Sequence, residues 1–335
     1  MKCRLLIIAI TGLIAFSGTA TAQGFFEGKT INIIVGFTAG GGYDVTARLY
    51  SRHYGRHIPG APTIVVNNMP GGGSIVAANS LYSGPGQDGT RLGIIAGGAI
   101  IEPLLSDKAR YDARKFNWIG GRSTEPSVCA IWHSSKVNTY DDARSIEVIV
   151  GASGPGSRTV TYPKLLNQLT GTKFKVVTGY PGGNEIALAM ERGEVESHCG
   201  LAWGSAKTRL AEWISSKKIH FIAQFALSRV NDLKDVPLAS EFASNDRDRK
   251  AIEFLMSDAL LAWPMLAPPD VPAARVQALR SGFEKMMKDS AFLADAEKLK
   301  LDVDIVSATE MTKVVDELYA TPSDVLAVVK RALAD

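Results

Sequence analysis

Chemistry in this chain is concentrated in four glycine-rich turns. The first, Phe37-Thr38-Ala39-Gly40-Gly41-Gly42-Tyr43-Asp44, follows the apolar, β-branched run Ile31 to Val35 and leads into a segment where Ala47, Tyr50 and Tyr54 share one helical face. It therefore reads as a turn between a strand and a helix. Three consecutive glycines carry no Cβ to hold a ligand away from the backbone, and the first N–H groups of a helix have no partner inside it. Those donors, together with the helix dipole, suit a small anion. Gly71-Gly72-Gly73-Ser74 repeats the pattern, as do Ser153-Gly154-Pro155-Gly156-Ser157 and the shorter Gly182-Gly183-Asn184. Glycine turns also occur wherever a strand simply has to meet a helix, but four of them, rich in donors, point to a cleft that grips an anion from more than one side.

Other chemistries fall short of their residue requirements. Gly24 to Thr30 has three residues between its glycines where a phosphate-binding P-loop needs four, and it precedes its strand. None of the glycine turns completes a dinucleotide fingerprint, since Val45, Val76 and Thr159 stand at the last glycine position. Gly151-Ala152-Ser153-Gly154-Pro155 approaches a serine-hydrolase elbow but ends in proline, and His133, His198 and His220 are bases only by default. Asp44 and Glu185 sit where a carboxylate caps a helix. No metal-ligand or redox spacing is present, so neither metal nor cofactor is expected. Cys129 and Cys199 lie in apolar stretches that read as strands and are expected as two buried free thiols, a disulfide remaining open until their separation is known.

Apolar periodicity places strands near 31–36, 63–67 and 91–96 with helices near 44–56 and 74–82 between them, an alternation that implies a parallel sheet covered on both faces. A second set follows, with strands near 127–132, 146–151, 174–178, 195–199 and 219–225 and helices near 157–169 and 184–192. Beyond 226 helices dominate. Ala259 to Leu266 reads as a strand returning to the first sheet, Asp270 as the cap of a helix with Pro272 in its first turn, and 308–318 and 322–334 as closing helices. The fold class expected is α/β. Residues 23–123 and 225–335 form one domain and 124–224 the other, with the tail after 308 unassigned.

Residues 1–22 have the form of a cleavable secretory signal: Lys2 and Arg4, an apolar core from Leu5 to Phe16, then Thr19-Ala20-Thr21-Ala22. No later stretch has the 18 or so unbroken apolar residues of a membrane span. A soluble, periplasmic product is expected. Removing Lys2 and Arg4 from the 37 basic residues leaves 35 against 34 acidic ones, so no concentrated basic face exists for nucleic acid. An anion must then be held by local dipoles rather than bulk charge.

In order along the chain, Gly40-Gly41-x-x-Asp44-x-x-Ala47-Arg48, Asn68-x-Pro70-Gly71-x-Gly73, Asp88-Gly89-Thr90, Gly154-x-Gly156-Ser157, Gly179-Tyr180-x-Gly182-Gly183-Asn184 and Arg192-Gly193-Glu194-Val195 resemble the signatures of one family. This is the family of TctC-like periplasmic receptors of tripartite tricarboxylate transporters, also called Bug proteins. Gly36 and Ala39 stand where that family often has prolines, and Val160 where many members have histidine. The resemblance implies a two-domain, Venus-flytrap (type II) binding protein that closes on a small organic acid and hands it to membrane subunits. It also implies a monomer without catalysis. Residues 37–44 and Gly72, Gly73 and Ser74 would bind from one domain. Ser153, Gly154, Gly156, Ser157, Arg158, Gly183 and Asn184 would bind from the other, with Trp203 as a wall. A hydrolase acting on a small anion on a similar α/β frame is the alternative.

Overall fold

The structure is a computed structural model and describes residues 24–122 and 124–334. Its strands, in chain order, are β1 (Thr30–Val35), β2 (Thr63–Asn68), β3 (Arg91–Ile94), β4 (Asn117–Arg122), β5 (Ser127–Trp132), β6 (Val148–Gly151), β7 (Phe174–Val177), β8 (Ser197–Ala202), β9 (Ile219–Phe225), β10 (Met265–Ala267) and β11 (Ile305–Ser307). They form two sheets, one ordered β11-β4-β10-β3-β1-β2 and the other β7-β6-β8-β5-β9. The residues called the signal, 1–22, lie outside the described residues.

β1 is built from Ile31, Ile33, Ile34 and Val35, all buried, and its central place follows from a run that is apolar on both faces. β2 and β3 flank it in parallel register. The sheet is not parallel throughout, as expected from the alternation alone: β10 runs antiparallel to β3 and β4, and β11 antiparallel to β4. The reason is connectivity, because the chain leaves after β4, completes the five-stranded sheet, and re-enters from the opposite direction. Strand β4 escaped the periodicity because Gly120 and Gly121 dilute its apolar pattern; Phe283 and Met311 fill the space where their side chains would be.

Against β4 the helix Ala273–Met287 lays Val276, Leu279, Phe283 and Met286, each burial worth roughly 1.5–3 kcal/mol. Its cap is Pro272, with Asp270 outside the helix, a correction to the expected boundary. A further core joins the sheets: Ile34, Ile100 and Met311 belong to one buried apolar cluster with Ile131, Tyr162 and Phe225. The last helix, Ser323–Leu333, packs on the helices Arg158–Thr170, Asp246–Met256 and Gly97–Leu105.

The cysteines are not free thiols. Cys129 on β5 and Cys199 on β8 are direct antiparallel partners, and they form a disulfide. Sequence showed two strands but not that these two would be neighbours.

Candidate functional site

Three helices start at one place. The helix Gly42–His53 begins after Gly41, Arg158–Thr170 after Ser157, and Gly183–Glu191 after Gly182; no side chain caps any of them. Their first residues line a single cavity of about 90 Å³ between the two sheets, several times the roughly 10–15 Å³ an ordered water needs. Uncapped first-turn N–H groups and three aligned dipoles make its walls electropositive without a surplus of basic residues.

The first wall is an aromatic ladder. Phe37 and Tyr43 stack at 4.9 Å, Tyr43 meets Trp263 at 4.6 Å, and the Arg122 guanidinium lies 4.7 Å from the Trp263 ring. Trp263 Nε1 donates to Glu125 Oε2 at 2.8 Å, and Gly204 N to Glu125 Oε1 at 2.7 Å. Burial pushes the Glu125 carboxyl up, and pushes the Tyr43 phenol up to about 12. Gly42 must be glycine for closeness: a Cβ there would stand 2.5 Å from Ser205 Oγ and 2.7 Å from the Trp263 ring. Asp44 does not reach the cavity. It accepts from Gly40 N at 2.8 Å, Arg48 Nε at 2.8 Å and Asn68 Nδ2 at 3.0 Å, fixing the turn. Burial opposes its charge, but these bonds outweigh burial and hold its pKa low.

The opposite wall carries side-chain donors. Ser153 N donates to Thr159 Oγ1 at 3.0 Å, and the Ser157 and Thr159 hydroxyls bond at 2.6 Å. Arg158 is buried, not an exposed helix-start residue. Its Nε donates to Asp258 Oδ2 at 2.8 Å and its Nη1 to Glu125 O and Ser127 Oγ, while Nη2 is buried without a partner. Burial opposes its charge, but Asp258 more than offsets this and keeps it protonated. Asp258 in turn accepts from Tyr162 OH at 2.8 Å. His198 and Arg209 complete this wall.

Of the residues proposed from sequence, Phe37, Thr38, Gly41, Gly42, Tyr43, Ser153, Ser157, Arg158 and Gly183 line the cavity. Ala39 and Gly40 are exposed and do not line it. Gly72, Gly73, Gly154 and Gly156 do something else: Gly156 N donates to Gly72 O at 3.2 Å, and a Cβ on Gly73 would fall 2.4 Å from Ser157 N. With Gly73 at φ +67, the two loops meet backbone to backbone, which only glycine allows. Ser74 Oγ accepts from Ala96 N at 3.2 Å, bracing that loop. Asn184 supports the wall from behind by accepting from Arg209 Nη1. Trp203 lines an outer groove with Lys207 and Asp232, and the wall position belongs to Trp263. Trp263, Ser205, His198 and Arg209 were missed because no local motif surrounds them; only the fold brings them in. Among the described residues no cluster of potential ligands for a metal ion occurs.

Comparison with known proteins bears on the fold. The structure aligns with the periplasmic binding protein BugD over 91% of this chain and 97% of that one, with TM-score 0.69 and 19% identity. It aligns with MatC from Rhodopseudomonas palustris, solved with bound malate, over 91% and 99%, with TM-score 0.67 and 20% identity. The chain has the fold of the periplasmic binding proteins and resembles their TctC and Bug members. In sequence it is 26% identical to a UPF0065 protein of Agrobacterium vitis over 86% of this chain and 80% of that relative. No family model matches the chain. Solute-binding proteins are not enzymes, and the hydrolase alternative gains nothing from the site. His198 shares the cavity with Ser153, but among the described residues no carboxylate orients it, and burial, then the Arg209 charge, lower its pKa to about 3, leaving a weak base.

Proposed function

We propose that this protein is a periplasmic receptor that captures a small organic carboxylate between its two sheets and delivers it to the membrane subunits of a tripartite tricarboxylate-type transporter. The convergence of three uncapped helix starts, drawn from both sheets, on one cavity carries this proposal. The malate held by MatC, which shares the fold, supports it. Residues 1–22 serve as a cleaved export signal, and the mature receptor acts as a monomer. Residues 23–123 and 225–335 move as one lobe against 124–224, with the helix Ser323–Leu333 seated across both.

Each wall alone offers a few hydrogen bonds to an anion that water solvates well, so neither holds it tightly. Both together exclude water and strengthen every bond. The ligand favours closure by its extra affinity for the closed state, and moving from 1:99 to 99:1 takes roughly 5.5 kcal/mol. Thermal-shift screening against mono-, di- and tricarboxylates and amino acids tests the function, because a ligand that binds only the folded state raises the melting temperature. A flat response across the panel would overturn it. Small-angle scattering of the same samples reads closure as a fall in radius of gyration.

A further inference from the structure

The cavity holds two guanidiniums in unequal condition. Arg158 is neutralised by Asp258 at 2.8 Å. Arg209, the last residue of the helix Trp203–Arg209, has no ion-pair partner among the described residues. Its Nη1 donates to the neutral Asn184 Oδ1, and its Nε is buried with nothing to receive it. Glu185 is the carboxylate whose field reaches it, but Glu185 Oε2 accepts from Thr38 Oγ1 at 3.4 Å and pairs with no cation among the described residues. A half-buried cation without an ion-pair partner is costly, and here desolvation lowers the affinity of the guanidinium for its own proton.

Two neighbours turn further polar groups toward this spot. A Cβ on Gly183 would stand 3.6 Å from Arg209 Nη2 and 3.3 Å from His198 Cε1, so the start of the helix Gly183–Glu191 faces the guanidinium directly. His198 also has a buried, unpartnered Nδ1 on the same cavity. A cation, a helix N-terminus and an imidazole with an idle nitrogen are three groups that one anionic oxygen pair could satisfy together.

We propose that Arg209, with His198 and the backbone at Gly183, forms a second anion subsite that selects ligands carrying two negative groups, a short dicarboxylate in this cavity. The proposal rests on the carboxylate-receptor reading: one carboxylate sits against the starts of the helices Gly42–His53 and Arg158–Thr170, and the other neutralises Arg209. A monocarboxylate of equal length leaves Arg209 unpaired and puts methyl against it.

Calorimetry with two matched series, straight-chain dicarboxylates of three to six carbons and monocarboxylates of the same lengths, tests this on wild type, Arg209→Met and Arg209→Lys. In wild type the tightest dicarboxylate is expected to bind at least about tenfold more tightly than its monocarboxylate match, which is about 1.4 kcal/mol. Arg209→Met costs the dicarboxylates at least about tenfold more than their monocarboxylate matches, which abolishes the preference, and Arg209→Lys restores part of it. Wild type binding both series equally, or Arg209→Met weakening both equally, would overturn the subsite while the receptor function stands. Failure of wild type to bind either series would overturn the subsite, and the wider thermal-shift panel decides separately whether the receptor function stands. Circular dichroism and melting of each variant confirm that the protein measured is folded.

Discussion

The wall contributed by the six-stranded sheet offers a ligand one helix start and aromatic faces, whereas the wall from the five-stranded sheet offers two helix starts together with hydroxyls, an imidazole and two guanidiniums. Backbone N–H groups recognise what all carboxylates share. Side chains recognise what distinguishes them, so affinity for the class is shared by both walls while selection within it rests mainly on the second. Their burial differs as well: the second wall depends on charges that the fold must neutralise, as Asp258 does for Arg158.

Four tests, with five substitutions, would break or sharpen this contrast. The largest effect is expected at Arg158→Met, which strands Asp258 in the interior with Tyr162 as its partner. Urea denaturation should show a loss of about 3–5 kcal/mol, and an unchanged midpoint would mean the second wall does not rest on that pair. Next, Gly42→Val puts methyls into Ser205 and Trp263, and ligand affinity should fall by roughly 100-fold, about 2.7 kcal/mol. Gly41→Val, with only Thr38 O at 3.5 Å, should keep its fold and block the cavity from the inside. Near-wild-type calorimetry for both would remove the first wall from recognition.

The third concerns pH. His198 has its folded pKa lowered to about 3, against about 6.5 in an unfolded chain. The unfolded state therefore takes up a proton that the folded state refuses. This contribution is fully present above about pH 6.5 and is lost at about 1.4 kcal/mol per unit as pH falls towards 3. Denaturation at pH 7.5 and 5.5 should show that slope in wild type and a flatter one in His198→Gln. The smallest effect is expected at Trp203→Phe, which alters an outer groove and should leave ligand affinity within about twofold; a tenfold loss would return Trp203 to the wall.

Local pattern made much of this legible. β5 and β9 fall where their apolar runs end, and the first-turn residues of three helices were visible as glycines after strands. What stayed hidden was pairwise. Trp263 sits at φ +53 in a segment whose only sequence signal was apolarity, and it reaches the ligand wall because β10 returns to the first sheet. Gly73 and Gly154 advertised donors, yet their missing Cβ atoms serve loop-to-loop contact. A glycine turn announces that something comes close to the backbone. It does not say whether that is a ligand or another loop.

The C-terminal helix has a practical consequence for anyone who would turn this molecule into a sensor. Ser323–Leu333 rests on the helix Arg158–Thr170 of one lobe and on Gly97–Leu105 of the other. It acts as a third strap alongside the two crossings of the main chain. Under the proposed closure, a fluorescent protein fused after Leu333 would ride on the strap and report little of it, whereas dyes placed on opposite lips, clear of that helix, would follow it.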